Sequence, residues 1–167
     1  MPVRDIEVVV TTAPPSVVDA VVAEEDTYLV LSAEPEVREP GVARLRAFHE
    51  AYNTEPVEPG SVVAREGSPL RLLAVVHDLS QDTTWREEWV AAALDAVFRE
   101  TDAWNVRSLA LPPLGRVHGA LPRERLVALL RAALRTRTPR HLERLFLVVP
   151  DDETAIFQKL LGSGLWR

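Results

Sequence analysis

The chain has 167 residues, a formal charge of −6 and no cysteine. That length suits one domain burying roughly 70% of its unfolded surface, and the missing thiols exclude disulfides, thiolate nucleophiles and cysteine-bound zinc. The acidic balance disfavours a general nucleic-acid binder. No apolar run approaches the ~20 residues that span a bilayer and no leader-type segment opens the chain, so a cytoplasmic protein is expected.

Residues 5–10, rich in β-branched side chains, predict a first strand that Thr11 to Pro15 closes. Ser16 then caps a predicted helix through Glu25, with Val17, Val18, Val21 and Val22 at helical spacing, although so many valines also read as a strand. A second buried strand is expected over residues 27–32. A proline-bracketed loop follows over 33–40, and Val42, Leu45, Phe48 and Tyr52 predict a helix over 41–52. Residues 61–64 and 71–77 predict two antiparallel strands.

Thr84 with Glu87 forms a capping-box pattern before a long helix over 85–103, whose Trp85, Trp89, Ala93 and Val97 share one face. Trp104, beside this helix, is assigned to the core with Trp85 and Trp89. A strand over 107–111 and a helix over 122–136 come next, the helix turning Leu126, Leu130 and Leu134 inward. The last strand is expected over 142–149, and Asp152 opens a terminal helix that Gly162 stops. No repeat or linker splits the chain, so residues 1–167 are expected to form one domain. Alternation of strands and helices predicts an α/β fold, with a mostly parallel sheet covered on both faces and any ligand at the strands' carboxyl ends.

The most informative stretch lies between the strand at 107–111 and the helix at 122–136, where the chain reads Pro112-Pro113-Leu114-Gly115-Arg116-Val117-His118-Gly119-Ala120-Leu121-Pro122. A glycine-bearing loop between a strand end and a helix start leaves backbone N–H groups open beside a positive helix dipole, a setting for anions. Eight arginines lie between Arg116 and Leu147, against two glutamates. Glycines also serve tight turns, and arginines on a helix face also serve solvation. His118 and Arg116 are candidates to supply charge in the loop. The four histidines show no metal-ligand spacing, and neither a nucleophile elbow nor a lysine-bearing phosphate loop occurs. No cofactor, metal or catalytic residue is assigned.

The order of elements and the 108–134 segment resemble the macro domain, a three-layer α/β/α sandwich that typically binds ADP-ribose. Leu109 to Gly115 is similar to the family's strand and phosphate-binding loop, and Gly119 occupies a further glycine position. Val75-Val76-His77 is similar to its Val-Ile-His strand, and residues 145–149 with Asp151 match its last strand. The preferred register sets Leu31-Ser32-Ala33-Glu34 against the family's Asn-Ala-Ala-Asn, after an inserted helix. A second register sets Val18-Asp19-Ala20-Val21-Val22 against its Val-Asp-Ala-Ile-Val strand.

In the preferred register the resemblance implies ligand contacts at Glu34, Gly41, Val42, Leu114, Gly115, Arg116, Val117, His118 and Gly119. Several positions depart from the family: Glu34 for asparagine, Arg38-Glu39-Pro40-Gly41 for a glycine run, and Val117 and Ala120 for glycines. Pro40 has no N–H to donate, and Glu39 has the wrong charge for a diphosphate. Two functions are therefore expected in order: binding of ADP-ribose or a related nucleotide diphosphate without efficient turnover, then a ligand-free structural or protein-interaction module. ADP-ribosyl hydrolysis through Glu34 or His118 stands third. The partners implied are a small molecule of ADP-ribose type and, for the second function, a protein; nucleic acid and membrane are not expected.

Overall fold

The computed structural model describes residues 5–31, 55–162 and 165–166. Seven strands form one mixed sheet: β1 (Ile6–Thr11), β2 (Ala20–Asp26), β3 (Val62–Arg65), β4 (Leu70–His77), β5 (Ser108–Leu111), β6 (Arg144–Val148) and β7 (Leu165–Trp166), in the order β3-β4-β2-β5-β6-β1-β7. The run from β4 to β1 is parallel, and the antiparallel strands β3 and β7 close its two edges. Among the described residues the helices are α1 (Glu87–Ala103), α2 (Arg123–Thr136) and α3 (Thr154–Leu161), the last entered through a 3-10 turn at Asp151–Glu153.

Six consecutive residues of β4, Leu72 to His77, are buried. Successive side chains of a strand point to opposite faces, so both faces of the sheet are covered, as a three-layer α/β/α sandwich requires. Leu72, Ala74 and Val76 join a core with Val90, Leu94, Val97 and Phe98 of α1 and Leu126, Leu130 and Leu134 of α2. The inward face expected for α2 is therefore observed; of that expected for α1, Ala93 and Val97 are in the core, whereas Trp89 lies outside it beneath the Arg86 guanidinium. Gly162 ends α3 at φ +75°, as expected of a glycine stop.

The largest departure from the sequence expectation falls at residues 16–31. No helix forms over 16–25. Ala20–Asp26 is instead the central strand β2, paired on one side with β4 and on the other with β5. Ala20 and Val22 are buried between less buried neighbours, a period of two, while Val17 is 85% exposed. Asp19 fixes the register, because its carboxylate accepts the Arg107 and Ser108 N–H groups while its own N–H donates to the Ser108 hydroxyl.

The strand expected over 27–32 is likewise absent from its described part. The Asp26 carboxylate accepts the N–H groups of Tyr28, Val30 and Leu31 at 2.7, 3.0 and 2.8 Å, folding the chain into a turn with Leu29 at φ +59°. Local side-chain acceptors compete with a ladder in this way. The strand thus falls where the second register of the macro-domain resemblance sets it, and not where the preferred register does. The helix expected over 41–52 lies outside the described residues.

Two smaller corrections concern α1. Its N-terminus has no side-chain cap; Arg86 holds that position, Thr84 bonds to His77 instead, and Glu87 pairs with Arg125. Trp104 is 42% exposed, outside the core, and donates its indole N–H to Glu100. Trp85 does pack against the core.

Candidate functional site

Strands β2, β4 and β5 are adjacent and parallel, so their carboxyl ends bring three segments together: Glu24 to Asp26, His77, and the loop 112–122. The loop's shape comes from its own backbone. Leu114 and Arg116 donate N–H to Pro112 and Pro113 carbonyls, and Leu121 donates to Gly115. Gly115 sits at φ +83°, with Leu121 and Val90 packed 3.1 Å from where a Cβ would stand. At Gly119 a Cβ would meet the Gly115 carbonyl at 2.5 Å, so this glycine answers to close approach.

The loop's inward N–H groups converge on a carboxylate of the chain itself. Glu24 accepts the Gly115 N–H at 2.5 Å through Oε1 and the His118 N–H at 2.8 Å through Oε2. Its Oε2 also lies 2.7 Å from Nε2 of His77, and both side chains are only 1% exposed. The other ring nitrogen of His77 lies 2.9 Å from the Thr84 hydroxyl. A neutral imidazole with its proton on Nε2 satisfies both contacts, donating to Glu24 and accepting from Thr84. His77 is thus the hydrogen-bonded structural residue that its place at a strand end suggested.

Arg116 does not present a free guanidinium to the loop. It donates to Glu153 at 2.6 Å and to the Leu121 carbonyl at 2.8 Å, and its Nε is buried without a partner. Arg123, at the start of α2, donates to the same Glu153 oxygen. Burial pushes the Glu153 carboxyl up, but the hydrogen bonds and charges of the two arginines outweigh it and hold the group below the ordinary glutamate range. The side chains of Val117 and His118 are exposed. Val117 is not among the residues at positive φ, so valine in place of the family's glycine causes no strain there.

Of the sequence-predicted contacts, Leu114, Gly115, Arg116, Val117, His118 and Gly119 share this loop, whereas Glu34, Gly41 and Val42 lie outside the described residues. Sequence reasoning missed Glu24, Asp26 and Glu153. One signal for the first two was present: three consecutive acids directly after the apolar Val21-Val22-Ala23. Carboxylates are rarely buried unless paired, so acids at the end of a central strand point to internal donors. Among the described residues no group of three or more His, Asp or Glu side chains could hold a metal ion, and no helix is long and apolar enough to cross a membrane.

No protein-family model matches the sequence, and no curated protein matches it either. Solved structures do. A Trypanosoma brucei macrodomain in complex with ADP superposes with a TM-score of 0.66 at 14% identity, over 93% of this chain and 69% of that one. A variant macrodomain from Oceanobacillus iheyensis with ADPR gives 0.64 at 16% identity, over 92% and 90%. The macrodomain of Thermus aquaticus DarG gives 0.61 at 18% identity, over 86% and 98%. This chain therefore has the macrodomain fold, carried by a sequence that has diverged far from those of its structural neighbours.

Proposed function

We propose that this chain, acting as one domain over residues 1–167, is a non-catalytic macrodomain-fold module that has given up diphosphate recognition and works through protein contacts in the cytoplasm. The observation that carries this is the Glu24 carboxylate on the Gly115 and His118 N–H groups. An incoming phosphate competes for those donors with a buried group already holding them, and each charge-assisted hydrogen bond is worth about 1.5–3 kcal/mol. Asp26 takes the N–H groups of the turn that follows it in the same manner. Calorimetric titration of the folded protein with ADP-ribose is expected to give no heat at millimolar ligand. Saturable binding at micromolar ligand would overturn the proposal.

ADP-ribose binding is the second function, and a specific observation favours it. The 112–122 loop does hold an anion, although one of its own, and the structural neighbours include macrodomains with ADP and with ADPR. In that case Gly41, Val42 and the residues from Leu114 to Gly119 line the ligand, and Glu24 must swing away. The same titration distinguishes the two. Turnover has less support, because Glu24 and His77 are committed to each other and to the loop's N–H groups and Glu153 to two arginines, leaving His118 as the exposed acid–base group of the loop.

A further inference from the structure

We infer that Glu24 is a built-in anion which determines what the 112–122 loop accepts, and that removing its carboxylate opens a site for inorganic phosphate and pyrophosphate. The inference rests on the self-filled loop that supports the proposed function and adds to it a single residue responsible. Glu24 uses one oxygen for Gly115 and the other for His118, so the two donors are spaced for two oxygens of one anion. A phosphate group presents two oxygens at nearly that spacing.

The donors are held independently of the carboxylate. Gly115 has a left-handed backbone and its carbonyl accepts the Leu121 N–H, the loop is further tied by the Arg116 N–H on the Pro113 carbonyl, and the His77 ring is held by Thr84. Loss of the Glu24 side chain therefore leaves two backbone N–H groups and His77 Nε2 facing one vacated, buried volume. Unpaired buried donors are costly, and an anion that satisfies all three is bound in proportion. The His118 end of the site is the nearer to solvent, since that residue is exposed and its bond to Glu24 is only partly buried.

The test uses the full-length protein and its Glu24→Ala variant, following the Gly115 and His118 amide resonances during titration with inorganic phosphate and then pyrophosphate. In the wild type neither amide is expected to move. In the variant both are expected to shift saturably, with binding about tenfold or more tighter than in the wild type and a melting temperature that rises with phosphate. A folded variant whose two amides ignore both anions overturns the inference, as does a wild type that responds equally.

Where Glu24→Ala does not fold, Glu24→Ser serves, because it also vacates the carboxylate's volume while leaving a small hydroxyl for the neighbouring polar groups. The same two amides are then expected to respond, and their silence overturns the inference. Wild-type binding of ADP-ribose that leaves both amides unmoved would defeat the proposed function and leave the assignment of Glu24 standing. A silent variant would defeat that assignment alone.

Discussion

Arg116 and Glu153 meet at 2.6 Å, joining the 112–122 loop to the turn before α3, with the two side chains 20% and 11% exposed. Arg123 reaches the same carboxylate at 2.6 Å, so one acid serves two guanidinium groups. Arg116 is thereby a brace for the loop. Its remaining hydrogen bond runs to the Leu121 carbonyl, at the far end of the same loop.

Arg116→Ala is expected to destabilise the fold by about 1.5–3 kcal/mol, the range for losing charged hydrogen bonds that are partly buried. Glu153 retains Arg123, and the unpartnered Arg116 Nε disappears with the side chain, which together favour the lower half of that range. Urea denaturation at neutral pH measures it. A ligand-contacting role for Arg116 predicts instead a stable variant with weakened ADP-ribose binding.

The Glu153 carboxyl is held below its ordinary value of about 4.5 in the folded state. A depressed folded value means that the cluster's contribution is fully present above the unfolded value and is lost as pH falls through the lower, folded one. Wild type is therefore expected to exceed Glu153→Gln in stability at pH 7, with the gap narrowing between about pH 5 and pH 3. Urea midpoints of both proteins across that range check it. A gap independent of pH would show that the two arginines do not act through the charge of Glu153.

Much of the fold was legible because apolar periodicity reports burial directly. Leu72 to His77, the Leu126-Leu130-Leu134 stripe and the 145–149 run take the places their patterns predict. The central strand was not legible, since Val17, Val18, Val21 and Val22 satisfy a helical spacing locally. What decides for a strand is Asp19 held to Arg107 and Ser108, a contact spanning about ninety residues that no local pattern contains. The 112–122 loop was visible from Gly115 and Gly119. Its occupant was not, because the partners of Glu24 come from the end of β4 and from the loop after β5, brought beside it only in the folded sheet.

Thr84 and Glu87 illustrate the same point in a testable form. In a capping box both would bond to the first turn of the helix, and loss of either would cost about 1 kcal/mol. Here Thr84 instead supports the buried ring of His77, and Glu87 pairs with Arg125 at the surface. Thr84→Val is expected to cost about 1–3 kcal/mol by leaving His77 Nδ1 unpaired. Thr84→Ser should retain most of that stability, and Glu87→Ala should change it by less than about 1 kcal/mol. Equal losses in Thr84→Val and Glu87→Ala would restore the capping assignment.

The three loop positions Gly115, Val117 and Gly119 are expected to respond differently to a change between glycine and a side chain, because different forces act at each. Gly115→Ala places a Cβ at φ +83° with three atoms at 3.1 Å, and strain of this kind costs about 1–3 kcal/mol. At Gly119 the obstacle is the Gly115 carbonyl at 2.5 Å and the Trp85 ring at 2.8 Å. A backbone atom cannot turn aside as a side chain can, so Gly119→Ala must move the loop and is expected to cost about 2 kcal/mol or more. That displacement also carries the His118 N–H away from Glu24, so its amide resonance should shift in Gly119→Ala. Val117→Gly needs no new conformation and loses only an exposed side chain, so it is expected to destabilise by about 1 kcal/mol or less. Thermal melts of the three variants check the ranking, and a stabilised Val117→Gly would show that the loop is strained at that position.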